Sequence, residues 1–303
     1  MKILLFGGNG QVGTELRRSL APLGDVFATT RSGRLSDGAS CARADFDALE
    51  TLAPLIERTA PDIVVNAAAY TAVDRAEDDV AAAFRANAEA PRAIAAACAA
   101  RDALLVHYST DYVFDGQATR PYREDDPVAP LGVYGTSKLA GEEAIRASGA
   151  HHLIFRTAWV YAAHGSNFLR TMLRLAAERD ELRVVADQVG SPTPAGLIAD
   201  ITANVLAQEP ARWGLWHLTT TGQVSWHGFA QAIVEGAHTR GLLDRPPRVV
   251  PIATEDYPTA AARPANSVLD TSKLQRDFNL APGAWQDGLG EIMDAIAQAG
   301  VDN

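Results

Sequence analysis

The chain has 303 residues, 47% of them hydrophobic and 21% charged, so it is long enough to bury a full core. Its formal net charge of −10 argues against a nucleic-acid partner, because binding to phosphates needs a basic face. The longest apolar runs fall short of a membrane span of roughly 18 residues, so no membrane segment is predicted. Cys41 and Cys98 lie far apart without metal-ligand spacing, which predicts neither a disulfide framework nor a zinc site. Together these features predict a cytoplasmic protein.

The first two-thirds of the chain alternates short aliphatic runs with longer helical patterns. The aliphatic runs lack polar alternation, which is typical of parallel strands covered on both faces. They are Lys2–Phe6, Asp25–Thr30, Asp62–Asn66, Leu104–Ser109, His152–Arg156 and Arg183–Val185. The predicted helices are Gln11–Leu23, Leu49–Arg58, Val80–Ala100, Val133–Ser148 and Asn167–Arg179. This βαβ rhythm predicts an α/β fold with a Rossmann-like, doubly wound parallel sheet.

After about residue 160 the rhythm loosens, and prolines interrupt the chain with fewer strand-like runs between them. We predict a smaller C-terminal lobe that binds the ligand and is interleaved with the first domain, without a clean linker. The predicted division assigns residues 1–160 to the Rossmann-like domain and residues 161–303 mainly to the lobe.

A glycine-rich loop follows the first predicted strand and opens the first predicted helix. Residues 7–13 satisfy both the GxGxxG and the GxxGxxG spacing. Glycines allow a turn with positive φ and a close approach of backbone N–H groups to a pyrophosphate, which then lies at the positive end of the helix. A tight turn without a ligand is the alternative, but the strand–glycine–helix context favours a dinucleotide site. The residues assigned to it are Gly7, Gly10, Gln11, Val12 and Gly13.

The end of the second predicted strand bears on the choice of dinucleotide. Sites that prefer NAD carry an acidic residue about 20 residues beyond the glycines, where it binds the ribose 2′-hydroxyl. The corresponding segment here is Thr29-Thr30-Arg31-Ser32, which has no acid. Arg31 can bind a 2′-phosphate, although a solvated loop charge is the alternative for it. We therefore predict NADPH as the cofactor and leave use of NADH open.

Two further segments are candidates for contact with the dinucleotide. Asp45 and Phe46 follow the second strand in a loop, where they either flank the adenine or serve as a helix cap and a small hydrophobic contact. Ala67, Ala68 and Ala69 follow the strand that ends at Asn66. Small residues at this point allow a bound dinucleotide to approach the backbone closely, and ordinary alanine packing is the alternative.

A polar segment lies where the fourth predicted strand ends. Ser109 ends the predicted strand Leu104–Ser109, and Thr110 and Asp111 follow it directly. In open α/β sheets ligands bind at the carboxyl ends of the strands, so these side chains are predicted to face the crevice. Thr110 is a candidate for hydrogen bonding to a carbonyl oxygen. Ser109 and Asp111 either contact the ligand or only shape the turn.

Tyr134 and Lys138 lie four residues apart on one predicted helix. That spacing places the phenol and the ammonium on the same helical face. A free tyrosine has a pKa of about 10, and lowering it to about 7 requires roughly 4 kcal/mol of preferential phenolate stabilisation, to which a neighbouring ammonium contributes. The pair is predicted to be catalytic, with a lowered tyrosine pKa. A chance surface pair is the alternative that the upstream glycine loop disfavours.

These segments together resemble the extended short-chain dehydrogenase/reductases. Within that superfamily the chain is similar to the dTDP-4-dehydrorhamnose reductase family from Met1 to about Leu289. Each matching motif is common by itself, but their order along one chain is specific. The matching segments are NAAAYTAVDRAE (66–77), STDYVFDG (109–116), YGTSKLAGE (134–142), RTAWVY (156–161), DQVGSPT (187–193) and RPANSVLD (263–270).

The resemblance implies a role for each matching residue. It makes Tyr134 the proton donor to the nascent alkoxide, Lys138 its electrostatic partner and a ribose contact, and Thr110 the hydroxyl that orients the keto oxygen. It makes Asn87 a candidate to hold a water in a proton relay. Trp159 would form a wall of the sugar site, and Arg263 would bind the diphosphate. The residues assigned to the substrate are Thr71, Val73, Ser109, Thr110, Asp111, Tyr112, Trp159 and Arg263.

The chain departs from the family at one position. Some members are dimers with magnesium held by two glutamates, one on the first helix and one just after the PT motif. Glu15 matches the first, but Gly196 stands where the second belongs. We therefore assign no metal ligand and expect that magnesium is not required, while a homodimer stays an open expectation.

The function implied by the resemblance is reduction of the C4 keto group of dTDP-4-dehydro-6-deoxy-L-mannose, giving dTDP-L-rhamnose for cell-surface polysaccharide. Two alternatives stay open at this point. One is another reductase, epimerase or dehydratase of NDP-4-keto sugars. The other is a non-catalytic dinucleotide-binding regulatory subunit, which would have no need of a matched acid and ammonium.

Overall fold

The strands of the computed structural model, which describes residues 1–301, follow the predicted order through the first half of the chain. They are β1 Lys2–Phe6, β2 Asp25–Thr30, β3 Ala42–Arg43, β4 Ile63–Asn66, β5 Leu104–Thr110, β6 His152–Thr157, β7 Val160–Tyr161, β8 Glu181–Val185, β9 Val189–Gly190, β10 Thr193–Pro194, β11 Gly214–His217, β12 Val224–Ser225 and β13 Arg248–Ile252.

The helices alternate with these strands. They are α1 Gln11–Ser19, α2 Leu52–Thr59, α3 Val73–Asp78, α4 Val80–Phe84, α5 Ala90–Ala99, α6 Val133–Ala147, α7 Phe168–Glu178, α8 Ala195–Ala207, α9 Trp226–Thr239, α10 Ser272–Phe278 and α11 Trp285–Val301. The single helix predicted over Val80–Ala100 is wrong in one respect, because a π-helical segment, Arg85–Glu89, separates α4 from α5. Pro91 explains it, since it has no N–H to donate to the carbonyl of Asn87.

The main sheet has seven strands in the order β11-β6-β5-β4-β1-β2-β3. All its pairings are parallel, with Phe6 opposite Asn66 and Asn66 opposite His107. The strand order reverses direction at β1, which lies between β2 and β4. This confirms the predicted doubly wound sheet and places its crevice at the carboxyl ends of β1 and β4.

The core consists of two hydrophobic layers, one on each face of the sheet. Along β1, Ile3 and Leu5 pack into one layer, and Leu4 and Phe6 into the other. The first layer is completed by α1, α8 and α10, and the second by α2 and α5. Burial of each such side chain contributes about 1.5–3 kcal/mol, so the two layers hold the strand ends in fixed positions.

Strands β8 and β11 depart from the prediction in different ways, and the short or isolated strands β3, β7, β9, β10, β12 and β13 were not predicted either. The run Arg183–Val185 is a strand, but β8 pairs with β13 in a separate sheet of two strands. Its exposed Glu181 and Arg183 alternate with buried Leu182 and Val184, a pattern of a strand with one covered face. The strand β11 was not predicted, because its sequence Gly-Leu-Trp-His lacks the β-branched run of the other strands.

The second half of the chain contributes to both parts of the molecule. Helix α8 packs on α1 in the first layer, through Ile198 and Val205. A separate hydrophobic cluster, with Leu169, Phe229 and Met293 among its members, joins α7, α9 and α11. The division at residue 160 stays a prediction. Within residues 1–301, none of the helices has the length and apolarity needed to cross a bilayer.

Candidate functional site

A cleft of about 1220 Å³ runs along the carboxyl ends of the sheet strands. The loops after β1, β2, β4, β5 and β6 line it, together with the first turns of α1 and α6. It therefore combines the predicted dinucleotide and catalytic residues in one space. The predicted residues that line it are Gly7, Gly10, Gln11, Val12, Arg31, Asp45, Phe46, Ala67, Ala68, Ala69, Thr71, Val73, Ser109, Thr110, Asp111, Tyr112, Tyr134, Lys138 and Trp159.

The glycine loop meets the requirements of a pyrophosphate cradle. Gly7 has a φ of +85°, and a Cβ on it would lie 2.8 Å from the backbone nitrogen of Ala68. Gly10 is the N-cap of α1 and provides no side-chain cap, so the first turn of the helix opens into the cleft. Gly13 does not line the cleft; a Cβ there would overlap the carbonyl oxygen of Gly7, so this glycine allows the helix to pack on the loop.

The end of the cleft formed by the loop after β2 carries Arg31, the predicted partner of a 2′-phosphate. Arg31 is exposed there, beside Ser32. Asp45 lies nearby, and its pKa is lowered because the backbone N–H of Asp47 and the guanidinium of Arg43 donate hydrogen bonds to it, each at 3.2 Å. Phe46 packs on the Phe6 ring at an interplanar angle of 55°, with 5.9 Å between centroids. The region presents an exposed arginine and an aromatic ring to a ligand.

The residues predicted to be catalytic meet at the carboxyl end of β5 and the start of α6. Lys138 is buried, and its ammonium donates a hydrogen bond to the carbonyl oxygen of Tyr108 at 2.6 Å. Burial lowers the pKa of Lys138 to about 8. The Thr110 hydroxyl donates to Asp111 Oδ1 at 2.9 Å. Tyr134 lies edge-on to Tyr112, with 5.6 Å between ring centroids.

The predicted lowering of the Tyr134 pKa is wrong for this arrangement. Burial raises the pKa of Tyr134 to about 12, and the neighbouring Thr110 hydroxyl offsets only part of that effect. The ammonium of Lys138 is directed to Tyr108 O. Tyr134 is consequently protonated at neutral pH, which is the state that a proton donor needs.

Helix α6 is held close to its neighbours by small residues and one amide. A Cβ on Gly135 would overlap Tyr112 O, and one on Gly141 would overlap Asn87 O. The Asn87 amide donates to Tyr70 O and to Ser137 Oγ, each at 3.0 Å. Since both amide hydrogens are used within the protein, Asn87 joins the loop after β4 to α6. A role in holding water stays a prediction.

The substrate half of the cleft offers polar atoms without protein partners. Within the described chain, Ser109 Oγ, Asp111 Oδ2 and Thr157 Oγ1 are buried and make no hydrogen bond. All three residues line the cleft. Buried polar atoms normally have partners, so a ligand with several hydroxyl groups fits this wall.

Arg263 is not among the residues that line the cleft. Its guanidinium instead makes a bidentate pair with Asp74, at 3.0 Å from Nη1 to Oδ1 and 2.7 Å from Nη2 to Oδ2. Arg75, which the sequence analysis missed, is exposed and does line the cleft. Its position in the motif AVDRAE, directly after the small residues of the β4 loop, was the available signal.

The residues at the position of the family's magnesium do not fit a metal. Glu15 lies 3.5 Å from Arg18 Nε and 3.6 Å from His164 Nδ1. Gly196 is adjacent, since a Cβ on it would lie 3.8 Å from Glu15 Oε2, but it offers no ligand atom. Residues 1–301 contain no group of three or more side chains able to hold a metal ion.

Comparisons with known proteins agree over the whole chain. A family model described as the RmlD substrate binding domain matches residues 1–298. The dTDP-4-dehydrorhamnose reductase of Burkholderia thailandensis is 51% identical, over 98% of this chain and 100% of the relative. That of Escherichia coli K12 is 45% identical, over 98% of each chain. The crystal structure of dTDP-4-dehydrorhamnose reductase from Bacillus anthracis in complex with NADP superimposes with a TM-score of 0.87 at 34% identity, over 97% of this chain and 100% of that one.

Proposed function

The chain belongs to the RmlD substrate binding domain family, and from this premise we propose that it reduces dTDP-4-dehydrorhamnose to dTDP-L-rhamnose with NADPH. The observation that carries the proposal is the continuous cleft, in which the glycine loop and Arg31 are joined to Thr110, Tyr134 and Lys138. The names of the relatives from Burkholderia thailandensis and Escherichia coli support the substrate. The bound NADP in the Bacillus anthracis enzyme supports the cofactor.

When bound, NADPH supplies the hydride for the sugar C4. Tyr134 gives its phenolic proton to the oxygen at C4 as negative charge develops there. The raised pKa of Tyr134, about 12, favours this direction, because the residue is protonated before the reaction and the emerging alkoxide is a stronger base. Lys138 follows Tyr134 by one helical turn, so its ammonium can turn from Tyr108 O toward the phenolate that is left and stabilise it.

The polar wall orients the sugar. The hydroxyl of Thr110 donates to Asp111 Oδ1 and can rotate to donate to the keto oxygen instead, and the free Oδ2 of Asp111 accepts a hydrogen bond from a sugar hydroxyl. Trp159 covers the ring. Arg75 is the exposed cation in position to bind the diphosphate, a role that Arg263 can take only by leaving its pair with Asp74.

A panel of dTDP-4-keto sugars tests the proposal. Purified protein is incubated with NADPH and each sugar nucleotide, and the products are identified by mass spectrometry and NMR. Formation of dTDP-L-rhamnose from the dehydrorhamnose substrate supports it. Faster turnover of a different 4-keto sugar would show that this sugar is the preferred substrate. Binding of NADPH without its oxidation by any of the sugars would favour a regulatory subunit.

The replacement Arg31→Ala should lower the preference for NADPH over NADH about ten- to a hundredfold, because it removes one charge-assisted hydrogen bond to the 2′-phosphate. The measurement is the ratio of kcat/KM for the two cofactors. Arg34→Ala is the matched control, since Arg34 is also exposed but does not line the cleft. A wild-type protein that uses NADH better than NADPH would show that Arg31 is only a surface charge.

Treatment with EDTA should leave both activity and oligomeric state unchanged. The proposal includes a homodimer that forms without metal, because Gly196 has no ligand atom and Glu15 is paired with Arg18 and His164. Initial rates and sedimentation are measured before and after chelation. A loss of either that magnesium restores would contradict this assignment.

A further inference from the structure

Trp159 forms a wall of the cleft in a strained backbone conformation. It lies two residues after the end of β6 and lines the same cleft as Thr110 and Tyr134. Its φ of +48° lies in the left-handed region, where a bulky side chain is an outlier. Such a conformation persists only where the surrounding structure enforces it, so the contacts of this indole are informative.

One face of the indole is covered by a second tryptophan. The rings of Trp159 and Trp226 are parallel within 3°, with 3.4 Å between centroids. Trp226 in turn packs on Phe168, at 4.6 Å between centroids. Trp226 is the first residue of α9, and its position is fixed by the preceding Ser225, whose hydroxyl caps the helix by accepting a hydrogen bond from Gly228 N at 3.1 Å.

The indole is also in contact with a glycine that has no room for a side chain. A Cβ on Gly190 would overlap Trp159 Cε2 and lie 2.6 Å from Nε1 and 2.8 Å from Ser267 Oγ. The backbone of Gly190 is not in the left-handed region, so the requirement for glycine here comes from these side chains, the indole foremost, rather than from conformation. These contacts explain why the motif DQVGSPT has a glycine at position 190, although this glycine has no assigned part in catalysis.

Both residues that contact the indole, Gly190 and Trp226, lie in or next to a short antiparallel ladder. Strand β9 pairs with β12, with Gly190 opposite Val224, and Trp226 follows β12 at once. The ladder is tied to the segment after Arg263, since Val189 N donates to Ala265 O and Ser267 N donates to Val189 O, each at 2.8 Å. The β9–β12 ladder therefore determines the position of the Trp159 indole.

We propose that Gly190 and Trp226 are positioning residues that set the Trp159 indole against the sugar ring and so determine specificity for the sugar. The proposal rests on the proposed function, because it takes the ligand at Trp159 to be the sugar. The cofactor half of the cleft is built from the loops after β1, β2 and β4, so a shift of Trp159 acts on the sugar and leaves NADPH binding unchanged.

The variant Gly190→Ala tests the proposal. The added methyl group displaces the indole, and a displacement of about 1 Å is expected to lower kcat/KM for the sugar nucleotide about 10²-fold. The Kd of NADPH, measured by fluorescence titration, should stay the same. Gly196→Ala is the matched control, because its Cβ meets no atom closer than 3.8 Å. A Gly190→Ala enzyme with unchanged kcat/KM would overturn the proposal.

A double-mutant cycle separates displacement from general damage. Phenylalanine lacks the indole atoms that meet the new methyl group, whereas the contact of that group with Ser267 Oγ is the same in both backgrounds. Gly190→Ala should therefore cost less in a Trp159→Phe background than in the wild type. Equal costs in the two backgrounds, or a parallel loss of NADPH affinity, would mean that the methyl group disturbs the fold instead, and would overturn the proposal.

The tryptophan pair also has a spectroscopic signature that does not depend on the sugar. Near-ultraviolet circular dichroism should change for Trp226→Phe and for Gly190→Ala, but not for Gly196→Ala. This signature persists even if the chain reduces a different ligand. A failure of the proposed function is therefore distinguishable from a failure of the proposal that Gly190 and Trp226 position the indole. Unchanged spectra for Gly190→Ala would show that the indole does not move.

Discussion

Replacing Tyr134 by phenylalanine should lower kcat about 10²- to 10⁴-fold, the usual contribution of a positioned proton donor. The change removes only the hydroxyl. The ring contact with Tyr112 and the backbone hydrogen bond from Ser137 Oγ to Tyr134 O do not involve that hydroxyl, so the fold should be retained. The measurement is steady-state turnover of the 4-keto sugar nucleotide, with thermal unfolding as a check of the fold.

Tyr112→Phe is the matched comparison for this variant. It removes the same group from a neighbouring ring in the same cleft. Because Tyr112 is assigned to substrate binding, its replacement should act mainly on KM, whereas Tyr134→Phe should act on kcat. A Tyr134→Phe enzyme that retains its kcat would remove Tyr134 from the chemistry.

The second large effect is on the free energy of unfolding and concerns the buried ion pair between α6 and β6. Glu142 on α6 and Arg156 on β6 are 0% and 3% exposed. They are joined at 2.9 Å from Nε to Oε1 and 2.6 Å from Nη2 to Oε2. Glu142→Gln leaves the arginine charge buried without a counter-ion, so the free energy of unfolding should fall by about 3–5 kcal/mol.

Urea denaturation measures this loss, and the chain contains an exposed pair for comparison. Glu178→Gln disrupts the pair of Glu178 with Arg174 on α7, whose side chains are 53% and 61% exposed. That change should cost less than about 1 kcal/mol, because exposed pairs contribute little. Equal losses for the two variants would show that the buried pair is solvated in solution.

The fold could be predicted where the sequence of a single element shows which of its faces are buried. Strands β1 and β4 are covered on both faces, so the runs Ile3–Phe6 and Ile63–Val65 are apolar without alternation. The order of such runs along the chain implies the doubly wound sheet. The strand at Arg183 could be found but not placed, because its partner β13 lies more than 60 residues later and nothing local specifies that pairing.

The site could be predicted in its members but not in its electrostatics. The positions of Thr110, Tyr134 and Lys138 follow from strand ends and helical spacing, and the structure brings them into one cleft. Whether Lys138 or burial dominates the pKa of Tyr134 depends on where the ammonium points, and that is decided by the carbonyl of Tyr108, which only the packed structure places within 2.6 Å.

The partner of Arg263 illustrates the same limit. An arginine in a matching motif predicts an anion nearby, but Asp74, separated by 189 positions in sequence, supplies that anion within the protein. Charge pairing of this kind depends on tertiary contacts, which residue type and spacing do not encode.

The most direct test of the central claim uses NADPH that carries deuterium at the transferable position of nicotinamide C4. The protein is incubated with this cofactor and dTDP-4-dehydrorhamnose, and the product is examined by NMR. We predict dTDP-L-rhamnose with deuterium at C4 of the sugar, formed by the wild type and reduced about 10²-fold or more in rate by Tyr134→Phe. A sugar nucleotide that is returned unreduced, or a product without deuterium at C4, would contradict the proposed reaction.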